Sequence, residues 1–440
     1  MNKSNVVKTL NYIKRNGPVK TFYAIKERLR DEAEDKYEYV PISEETRLDQ
    51  IRESLGADIK ISVLVPAYET PKEYLKALID SLIAQTYGNW ELVIADGSAS
   101  GVVTKTVNEY SDTRINLVKL SENKGISGNS NEGLLHCTGD YIGLLDHDDL
   151  LTADCLYEVA KKIRASRTDG IESQLLYTNE DKTNAENTTF YEANIKPKFN
   201  LDLLLSNNYI CHFLVVKSEL AKEVKFRSEY DGAQDHDFIL RCTGSLQDRY
   251  GREYEKHILN ISKVLYHWRC HESSTALNPT SKLYAYEAGK RAVSDYLAGR
   301  GMEATVSDLP HMGFFRVDYE PDIFTVREDV CALGCRILDK NGRVKDGVYD
   351  ENGDVMFKGL SRHDSGGRLH RASCRMEVPY ISVLGMLPNA EAEKVFKELL
   401  NREDSSKETD YKKLSMEFCN IMKSRGYRFV YDPDTVVKGK

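Results

Sequence analysis

Ile61-Ser-Val-Leu-Val-Pro-Ala-Tyr-Glu69 is a short β-branched run that ends at a proline and continues into a polar loop. Between Leu75 and Ile83, apolar residues then recur at helical spacing, so one face of that segment is apolar. A buried strand followed by an amphipathic helix predicts a βα unit. The same pattern continues along the chain after this first unit.

Three further segments read as strands, each followed by a helical pattern: Glu91–Ala95, Ile115–Leu120 and Tyr141–Leu145. Four βα units in series predict an α/β fold with a mainly parallel sheet that helices cover on both faces. Ligands of such sheets bind beyond the carboxyl ends of the strands. The polar loops that follow these strands are therefore the first place to look for a site.

Composition narrows the class of protein. The 440 residues contain 61 Lys and Arg against 69 Asp and Glu, a net charge of −8, which argues against nucleic acid as a partner of the whole chain. Nine cysteines occur without a CxxC pair, so neither a disulfide framework nor a structural zinc site is indicated. No apolar stretch approaches membrane-spanning length, and charged residues interrupt the N-terminus early, so we expect a soluble cytoplasmic protein.

The composition shifts along the chain predict three regions, at residues 1–58, 59–300 and 301–440. The first is a basic helix pair broken at Gly17-Pro18 and followed by an irregular acidic linker. It either contacts an anionic membrane as a peripheral protein or is a solvated helix that packs on its own domain. The last region, a smaller α+β accessory part, is either a degenerate second catalytic-type unit or a packing extension.

The loop after Leu145 carries three carboxylates, Asp146, Asp148 and Asp149. Carboxylates this close repel one another, and a divalent cation at the sheet edge removes that repulsion. Mg²⁺ and Mn²⁺ accept such oxygen ligands and leave positions for phosphate oxygens. The alternative is a helix N-terminus that Asp149 caps while the other two are solvated.

Two other loops carry groups that could bind a nucleotide. Asp96-Gly-Ser98 could hold a base or ribose through its carboxylate, although a simple Asp-Gly turn gives the same sequence. Lys124 precedes a predicted helix and could lie near an anion there.

Two later segments could contribute chemistry. Asp235 and Asp237 stand at a predicted helix start, where a carboxylate serves either as a general base or as a cap. Arg269 could hold a phosphate and His271 a metal ion, whereas a packed, hydrogen-bonded corner explains the same residues without a ligand.

The order of these segments, from V-P-A-Y-E through W-E-L-V-I-A-D-G-S, L-L-D-H-D-D, Y-T-N-E-D-K and G-A-Q-D-H-D-F-I-L-R to V-L-Y-H-W-R, resembles the family 2 glycosyltransferases of bacterial polysaccharide synthesis. The resemblance covers about residues 59–300. It implies a GT-A (Rossmann-like) fold, a nucleoside-diphosphate sugar donor, Mn²⁺ or Mg²⁺ as cofactor, and transfer with inversion at the anomeric carbon.

The resemblance also implies roles for single residues. Asp146 and Asp148 match the D-x-D motif, with Asp148 the direct metal ligand, and Asp235 matches the catalytic base. Gln234 stands where many members have Glu, which leaves Asp237 as a rival base. The positions implied to contact the nucleotide-sugar are Pro66, Tyr68, Glu69, Asp96, Asp146 and Asp181. To these the residue chemistry described above adds Lys124 and Arg269 as anion contacts and His271 as a further metal ligand.

The function implied is a metal-dependent inverting glycosyltransferase that extends a glycan or a lipid-linked saccharide on the cytoplasmic side of the membrane. Two alternatives stay open. One is a glycan-binding or scaffold subunit of the same fold, and the other is a sugar-1-phosphate nucleotidyltransferase. The second normally needs a Gly- and Arg-rich loop after the first strand, where this chain has Pro66-Ala-Tyr-Glu69.

Overall fold

The computed structural model describes residues 3–34, 36–53, 58–271, 283–364, 366–402 and 409–438. The helices are α1 (Lys3–Glu34), α2 (Glu44–Arg52), α3 (Lys72–Ile83), α4 (Val102–Val107), α5 (Gly125–Leu134), α6 (Cys155–Thr168), α7 (Leu201–Ser206), α8 (Ser218–Val224), α9 (Gln234–Tyr250), α10 (Leu283–Gly299), α11 (Ile323–Val326), α12 (Ala390–Leu400) and α13 (Tyr411–Ser424). The strands are β1 (Ile61–Ala67), β2 (Trp90–Asp96), β3 (Ile115–Lys119), β4 (Tyr141–Leu144), β5 (Leu150–Leu151), β6 (Leu175–Asn184), β7 (Phe190–Asn194), β8 (Leu214–Lys217), β9 (Ile258–Cys270), β10 (Ala304–Asp308), β11 (Phe315–Tyr319), β12 (Val330–Leu338), β13 (Val344–Asp346), β14 (Val348–Tyr349), β15 (Met376–Val378), β16 (Tyr380–Ile381), β17 (Leu387–Pro388) and β18 (Arg428–Lys438).

The chain divides into two compact units. The sheet unit comprises residues 36–199 and 209–296, and the terminal unit comprises residues 1–35, 200–208 and 297–440. The sequence placed region boundaries near residues 58 and 300, whereas this division changes unit after residues 35 and 296. The short segment 200–208, which contains α7, also belongs to the terminal unit.

Residues 36–53 belong to the sheet unit and are not the irregular linker that the sequence predicted. Ser43 caps α2 by accepting a hydrogen bond from the Thr46 amide. The Thr86 hydroxyl donates to the buried Gln50 side chain at 2.8 Å, which ties α2 to the sheet unit. The acidic composition predicted a solvated segment and gave no sign of these tertiary contacts.

The sheet unit is built on nine strands in the order β3-β2-β1-β4-β8-β6-β9-β5, with β7 on β6. β1 to β4 pair in parallel, β8 runs antiparallel between β4 and β6, and β6 pairs in parallel with β9. The predicted α/β class and the parallel pairing of the first four strands are therefore confirmed, but the sheet as a whole is mixed, because β5, β7 and β8 pair antiparallel with their neighbours.

The core of this unit follows the apolar periodicity of the sequence. β1 and β2 are buried along nearly their whole length, as parallel strands covered on both faces are. In α3 the buried residues are Leu75, Leu78, Ile79 and Leu82, which lie on one helix face. This packing fixes the carboxyl ends of β1, β2 and β4 along one edge of the sheet.

The terminal unit is α+β, as predicted for the C-terminal region. Its main sheet has the order β13-β12-β18-β15, with β17 on β12, and β12 pairs with β18 in parallel. Buried Arg327 donates to Asp202 of α7 at 3.1 Å and to Asp329 and Glu377 at 2.8 and 3.0 Å. These charged hydrogen bonds compensate the burial of Asp202 and hold α7 in this unit.

Helix α1 is interrupted where the sequence predicted a break. Gly17 has φ 79° and ψ 167°, outside the helical region, and Pro18 begins the second half. Within the described ranges, no helix combines the length and the apolar character needed to cross a bilayer.

Gly143 in β4 provides a test of the packing beneath the site. A Cβ there would lie 2.3 Å from Cζ of the fully buried Phe213, so we expect Gly143→Ala to lower the free energy of unfolding by about 1–3 kcal/mol. Chemical denaturation measures this change. Adding Phe213→Leu should reduce the cost of the alanine, and Gly88→Ala, which meets nothing within 4 Å, is the matched control. An equal loss in the free energy of unfolding for Gly143→Ala and Gly88→Ala would contradict this packing.

Candidate functional site

A cavity lies at the sheet edge where β1 and β4 end. Two predicted site carboxylates line it, Asp146 directly after β4 and Asp235 in the first turn of α9. Pro66 lines the same cavity, and so do two residues that the sequence did not single out, Cys211 and His212. The fold thus brings two acidic groups from distant parts of the chain to one concave surface.

Asp149 is a structural member of the acidic loop. Its Oδ1 accepts the Arg269 amide at 2.7 Å and its Oδ2 accepts the Tyr266 hydroxyl at 2.5 Å, so β9 occupies both oxygens. Burial raises the pKa of Asp149 well above its usual range. The helix that follows begins only at Cys155, so Asp149 does not cap it, as one interpretation of the sequence suggested.

Arg269 holds the same loop through its side chain. Nε donates to the Asp148 carbonyl and Nη1 to the Ala185 carbonyl, each at 2.5 Å. Nη2 is buried and has no hydrogen-bond partner within the part of the chain that the structure describes, and the guanidinium lies 4.4 Å from the Tyr74 ring centroid. Burial lowers the pKa of Arg269. The arginine proposed from the sequence as a phosphate ligand therefore also positions the acidic loop.

Asp146, Asp148 and His271 are the metal ligands that the sequence proposed. His271 Nε2 lies 2.8 Å from Asp148 Oδ2, and Asp146 stays half-buried at the cavity. Among the described residues, no three His, Cys, Asp or Glu side chains are already gathered as an ion site. The donor set of two carboxylates and an imidazole fits Mn²⁺ or Mg²⁺ if phosphate oxygens supply further ligands.

A buried charged network lies behind Asp146, and we call Lys196, Glu180 and His212 the buried triad. Lys196 Nζ donates to Glu180 Oε2 at 3.1 Å, and Glu180 Oε2 lies 3.3 Å from Nδ1 of His212. On its far side, His212 Nε2 lies 3.6 Å from Asp146 Oδ2. The His212 ring also stacks on Tyr266, with centroids 4.9 Å apart.

The buried triad shifts the pKa values of its members in opposite directions. Burial alone would raise the pKa of Glu180, but Lys196 and His212 lower it to about 2. Burial alone would lower the pKa of His212, but Glu180, Asp146 and Asp149 raise it to about 9. The sequence carried no signal for Lys196 or His212, because neither belongs to a motif and their partner Glu180 lies 16 and 32 residues away in the chain.

The loops after β1 and β2 are joined through Glu69 and Ser98. Glu69 accepts the Ser100 hydroxyl and the amides of Ser100 and Ala99, the amides at 3.1 and 2.8 Å. These hydrogen bonds, above all the one from the hydroxyl, lower its pKa. The Ser98 hydroxyl donates to the Glu69 amide at 2.7 Å. Tyr68, between the two predicted nucleotide contacts Pro66 and Glu69, is exposed.

Asp96 lies fully buried beneath these loops. It accepts the Ser98 amide at 2.8 Å, the Thr104 hydroxyl at 3.1 Å and Lys119 Nζ at 2.9 Å. Burial raises the pKa of Asp96, but the bonds from Ser98 and Lys119 outweigh it and lower the pKa. Asp96 thereby organises the loop at the end of β2.

The structure separates the two carboxylates at the start of α9. Asp237 is buried and accepts hydrogen bonds from Nε of Arg227 at 3.2 Å and Nε of Arg241 at 2.9 Å. Asp235 instead faces the cavity that Asp146 lines. The helical spacing of two residues places them on different sides of α9.

Two predicted nucleotide-sugar contacts have partners elsewhere. Lys124 Nζ pairs with Glu132 at 2.6 Å. Asp181 is fully buried, with Oδ1 2.6 Å from His267 Nδ1 and Oδ2 accepting the Tyr37 hydroxyl at 2.6 Å. The structure therefore does not bring these two side chains to the cavity that Asp146 and Asp235 share.

The sheet order, the antiparallel β8 and the acidic loop after β4 define a GT-A fold. Residues 62–224 match the family model described as Glycosyl transferase family 2. The match lies within the region where the sequence motifs resemble this family, so the predicted family resemblance and the predicted GT-A fold are confirmed.

Two curated relatives match a similar portion of the chain. An uncharacterized protein of Sinorhizobium fredii, y4gI, is 38% identical over 60% of this chain, and the O-antigen biosynthesis protein RfbC of Myxococcus xanthus is 33% identical over 59%. The chain spans only 28% and 20% of the lengths of these relatives. The solved structure of S. aureus TarS 1-349 in complex with UDP-GlcNAc is 18% identical, with a TM-score of 0.42, over 54% of this chain and 66% of that one.

The low pKa of Glu180 predicts a pH dependence of stability. Because the folded pKa of about 2 lies below the usual value of 4.5, the ionised carboxylate stabilises the fold above that value. The stabilisation, on the order of 3 kcal/mol, is lost as the pH falls from the usual value toward the folded one. Glu180→Gln should therefore flatten the fall in the free energy of unfolding between about pH 5 and pH 3, measured by denaturation.

The control is Glu219→Gln, which removes an exposed carboxylate at the start of α8. It should keep the wild-type pH dependence. An unchanged slope in Glu180→Gln would show that Lys196 does not stabilise the ionised form of Glu180.

Proposed function

We propose that this protein transfers a sugar, with inversion and with the help of a divalent cation, from a nucleoside-diphosphate sugar to a hydroxyl of a glycan or lipid-linked saccharide. One observation carries the proposal: the carboxylates of Asp146 and Asp235 line a single cavity at the carboxyl edge of a GT-A sheet. The family match supports a transferase over a nucleotidyltransferase or a scaffold.

Asp235 is the proposed general base. It accepts the proton of the acceptor hydroxyl as the acceptor oxygen bonds to the anomeric carbon. The bond from that carbon to the diphosphate breaks on the opposite face, so the configuration inverts without a covalent intermediate. The arginines that engage Asp237 favour Asp235 for this role, because both Asp237 oxygens already accept charged hydrogen bonds.

The leaving diphosphate is proposed to lie at the acidic loop. Asp146, Asp148 and His271 would hold Mn²⁺ or Mg²⁺, and a bound cation would supply positive charge near the leaving oxygen. Arg269 is a candidate for a phosphate contact through Nη2, which has no hydrogen-bond partner among the described residues. Asp149 is not included, since its oxygens bond Arg269 and Tyr266.

The nucleoside end of the donor is proposed to lie over the loops after β1 and β2. The hydrogen bonds of Glu69 and Asp96 to Ser98 shape these loops before a ligand arrives. Pro66 and Tyr68 border them. We assign no donor contact to Lys124 or Asp181, whose charges are paired elsewhere.

The acceptor is proposed to be a surface polysaccharide or its lipid-linked precursor. Support comes from the Myxococcus xanthus relative, which is named for O-antigen biosynthesis. A lipid-linked acceptor would place the protein at the cytoplasmic face of the membrane as a peripheral protein. Of the three predicted regions, 1–58, 59–300 and 301–440, the middle one is proposed to carry the chemistry.

Asp235→Asn and Asp237→Asn distinguish catalysis from folding. Asp235→Asn should lower kcat by about 10²–10⁴-fold and leave nucleotide affinity and melting temperature unchanged, because it removes only a proton acceptor. Asp237→Asn should instead destabilise the fold by about 1.5–3 kcal/mol through weaker hydrogen bonds from Arg227 and Arg241. Transfer kinetics and thermal unfolding of both variants provide the measurements. Wild-type turnover by Asp235→Asn would remove this residue from the mechanism.

Asp148→Ala tests the cation. A thermal-shift panel of nucleoside-diphosphate sugars first identifies the donor nucleotide, since a ligand of the folded state raises the melting temperature. Calorimetry with and without Mn²⁺ should then show tighter nucleotide binding with Mn²⁺ in the wild type and no such gain in Asp148→Ala. Asp169→Ala, which removes an exposed carboxylate at the end of α6, should retain the gain. An equal Mn²⁺ effect in Asp148→Ala would contradict the assigned ligand.

A further inference from the structure

Helix α1 packs with its polar side toward the protein and its apolar side toward solvent. Thr21 and Glu27 are each only 4% exposed, whereas Val19, Phe22 and Leu29 are 67%, 64% and 62% exposed. A surface helix of a globular protein normally shows the opposite arrangement. The inverted burial therefore needs a partner for the outer face.

Specific contacts inside the terminal unit fix this orientation. The Gly367 amide donates to buried Glu27, and Arg30 pairs with Asp364 at 3.1 Å. Tyr23 stacks on His363 with ring centroids 4.7 Å apart. Rolling the apolar side inward would break these bonds and bury charge, so the outer face is a stable property of the fold.

The exposed apolar residues form one line along the helix. Val19, Phe22, Ile25 and Leu29 recur at spacings of three, three and four residues, which places them on one side of the second half of α1. Leu10 and Ile13, also exposed, lie in the first half, before the break at Gly17. We call these six residues the outer stripe.

The charges beside the outer stripe have one sign. Lys14 and Lys26, each next to a stripe residue in the sequence, are exposed. The only acid between residues 3 and 30 is Glu27, which is turned inward. A surface that is anionic at its boundary and apolar beneath is complementary to this combination.

We propose that the outer stripe docks α1 in the plane of an anionic lipid surface, with its apolar side chains between the headgroups and its lysines on the lipid phosphates. A second copy fits less well, since a symmetric α1 pair would set lysines against lysines. The proposal deepens the proposed function by naming the lipid contact of an enzyme that acts on a lipid-linked acceptor, and it rests on that function only for its biological purpose.

The test is cosedimentation of the full chain with phosphatidylcholine vesicles that contain or lack phosphatidylglycerol, at low and physiological ionic strength. We expect binding to the anionic vesicles only, weakened by salt. The double variant Phe22→Asp/Leu29→Asp should lose binding at least about tenfold, and Lys14→Glu/Lys26→Glu should weaken it by a similar factor and reduce its salt dependence. Leu135→Asp, at an exposed leucine of the sheet unit, is the matched control and should bind like the wild type.

Two readouts keep this inference separate from the proposed function. Melting temperature and transfer to a water-soluble acceptor should be unchanged in Phe22→Asp/Leu29→Asp, so loss of vesicle binding reports docking alone. The lipid assignment is overturned if the wild type does not bind anionic vesicles or if Phe22→Asp/Leu29→Asp binds them as the wild type does. It is also overturned if the wild type forms a dimer that the double variant abolishes and neither sediments with vesicles.

Discussion

The carboxylate of Asp149 is the interaction on which the candidate site depends. It is buried, and its two oxygens are saturated by the Arg269 amide and the Tyr266 hydroxyl, both from β9. Because an unpaired buried acceptor is costly, the loop after β4 cannot shift without losing these bonds. The same strand ends beside His271, so one constraint brings Asp148 and His271 into contact and leaves Asp146 at the cavity.

The acidic residues of the sheet unit differ in their position relative to the cavity. Asp149, Asp181 and Asp237 have both oxygens engaged and therefore stabilise the fold around the cavity. Asp146 and Asp235 line the cavity instead. The buried triad adds a second layer behind Asp146, in which paired charges orient one another without exposure to solvent. The proposed chemistry thus uses the carboxylates that line the cavity, while the fully hydrogen-bonded carboxylates hold the surrounding fold in place.

The two units differ in how they bury apolar and charged side chains. The sheet unit buries apolar strands on both faces and has a polar edge. The terminal unit fixes α7 through the ion pairs of Arg327 and holds α1 through polar contacts, which leaves an apolar helix face outside. An uncovered face of this kind is more readily explained by an external partner than by folding alone. The exposed apolar face of α1 is therefore the reason for the lipid-docking proposal.

The sequence alone determined the βα order, the parallel sheet, the break at Gly17 and the loops that carry polar groups, because these depend on local periodicity and on the backbone limits of proline and glycine. It also identified the family, through motifs in a fixed order. Which carboxylates face the cavity, the membership of Lys196 and His212 in a charged network, and the inward turn of Glu27 were decided only by the tertiary structure. Those properties depend on distances between residues far apart in the chain, and neither local spacing nor composition contains such distances.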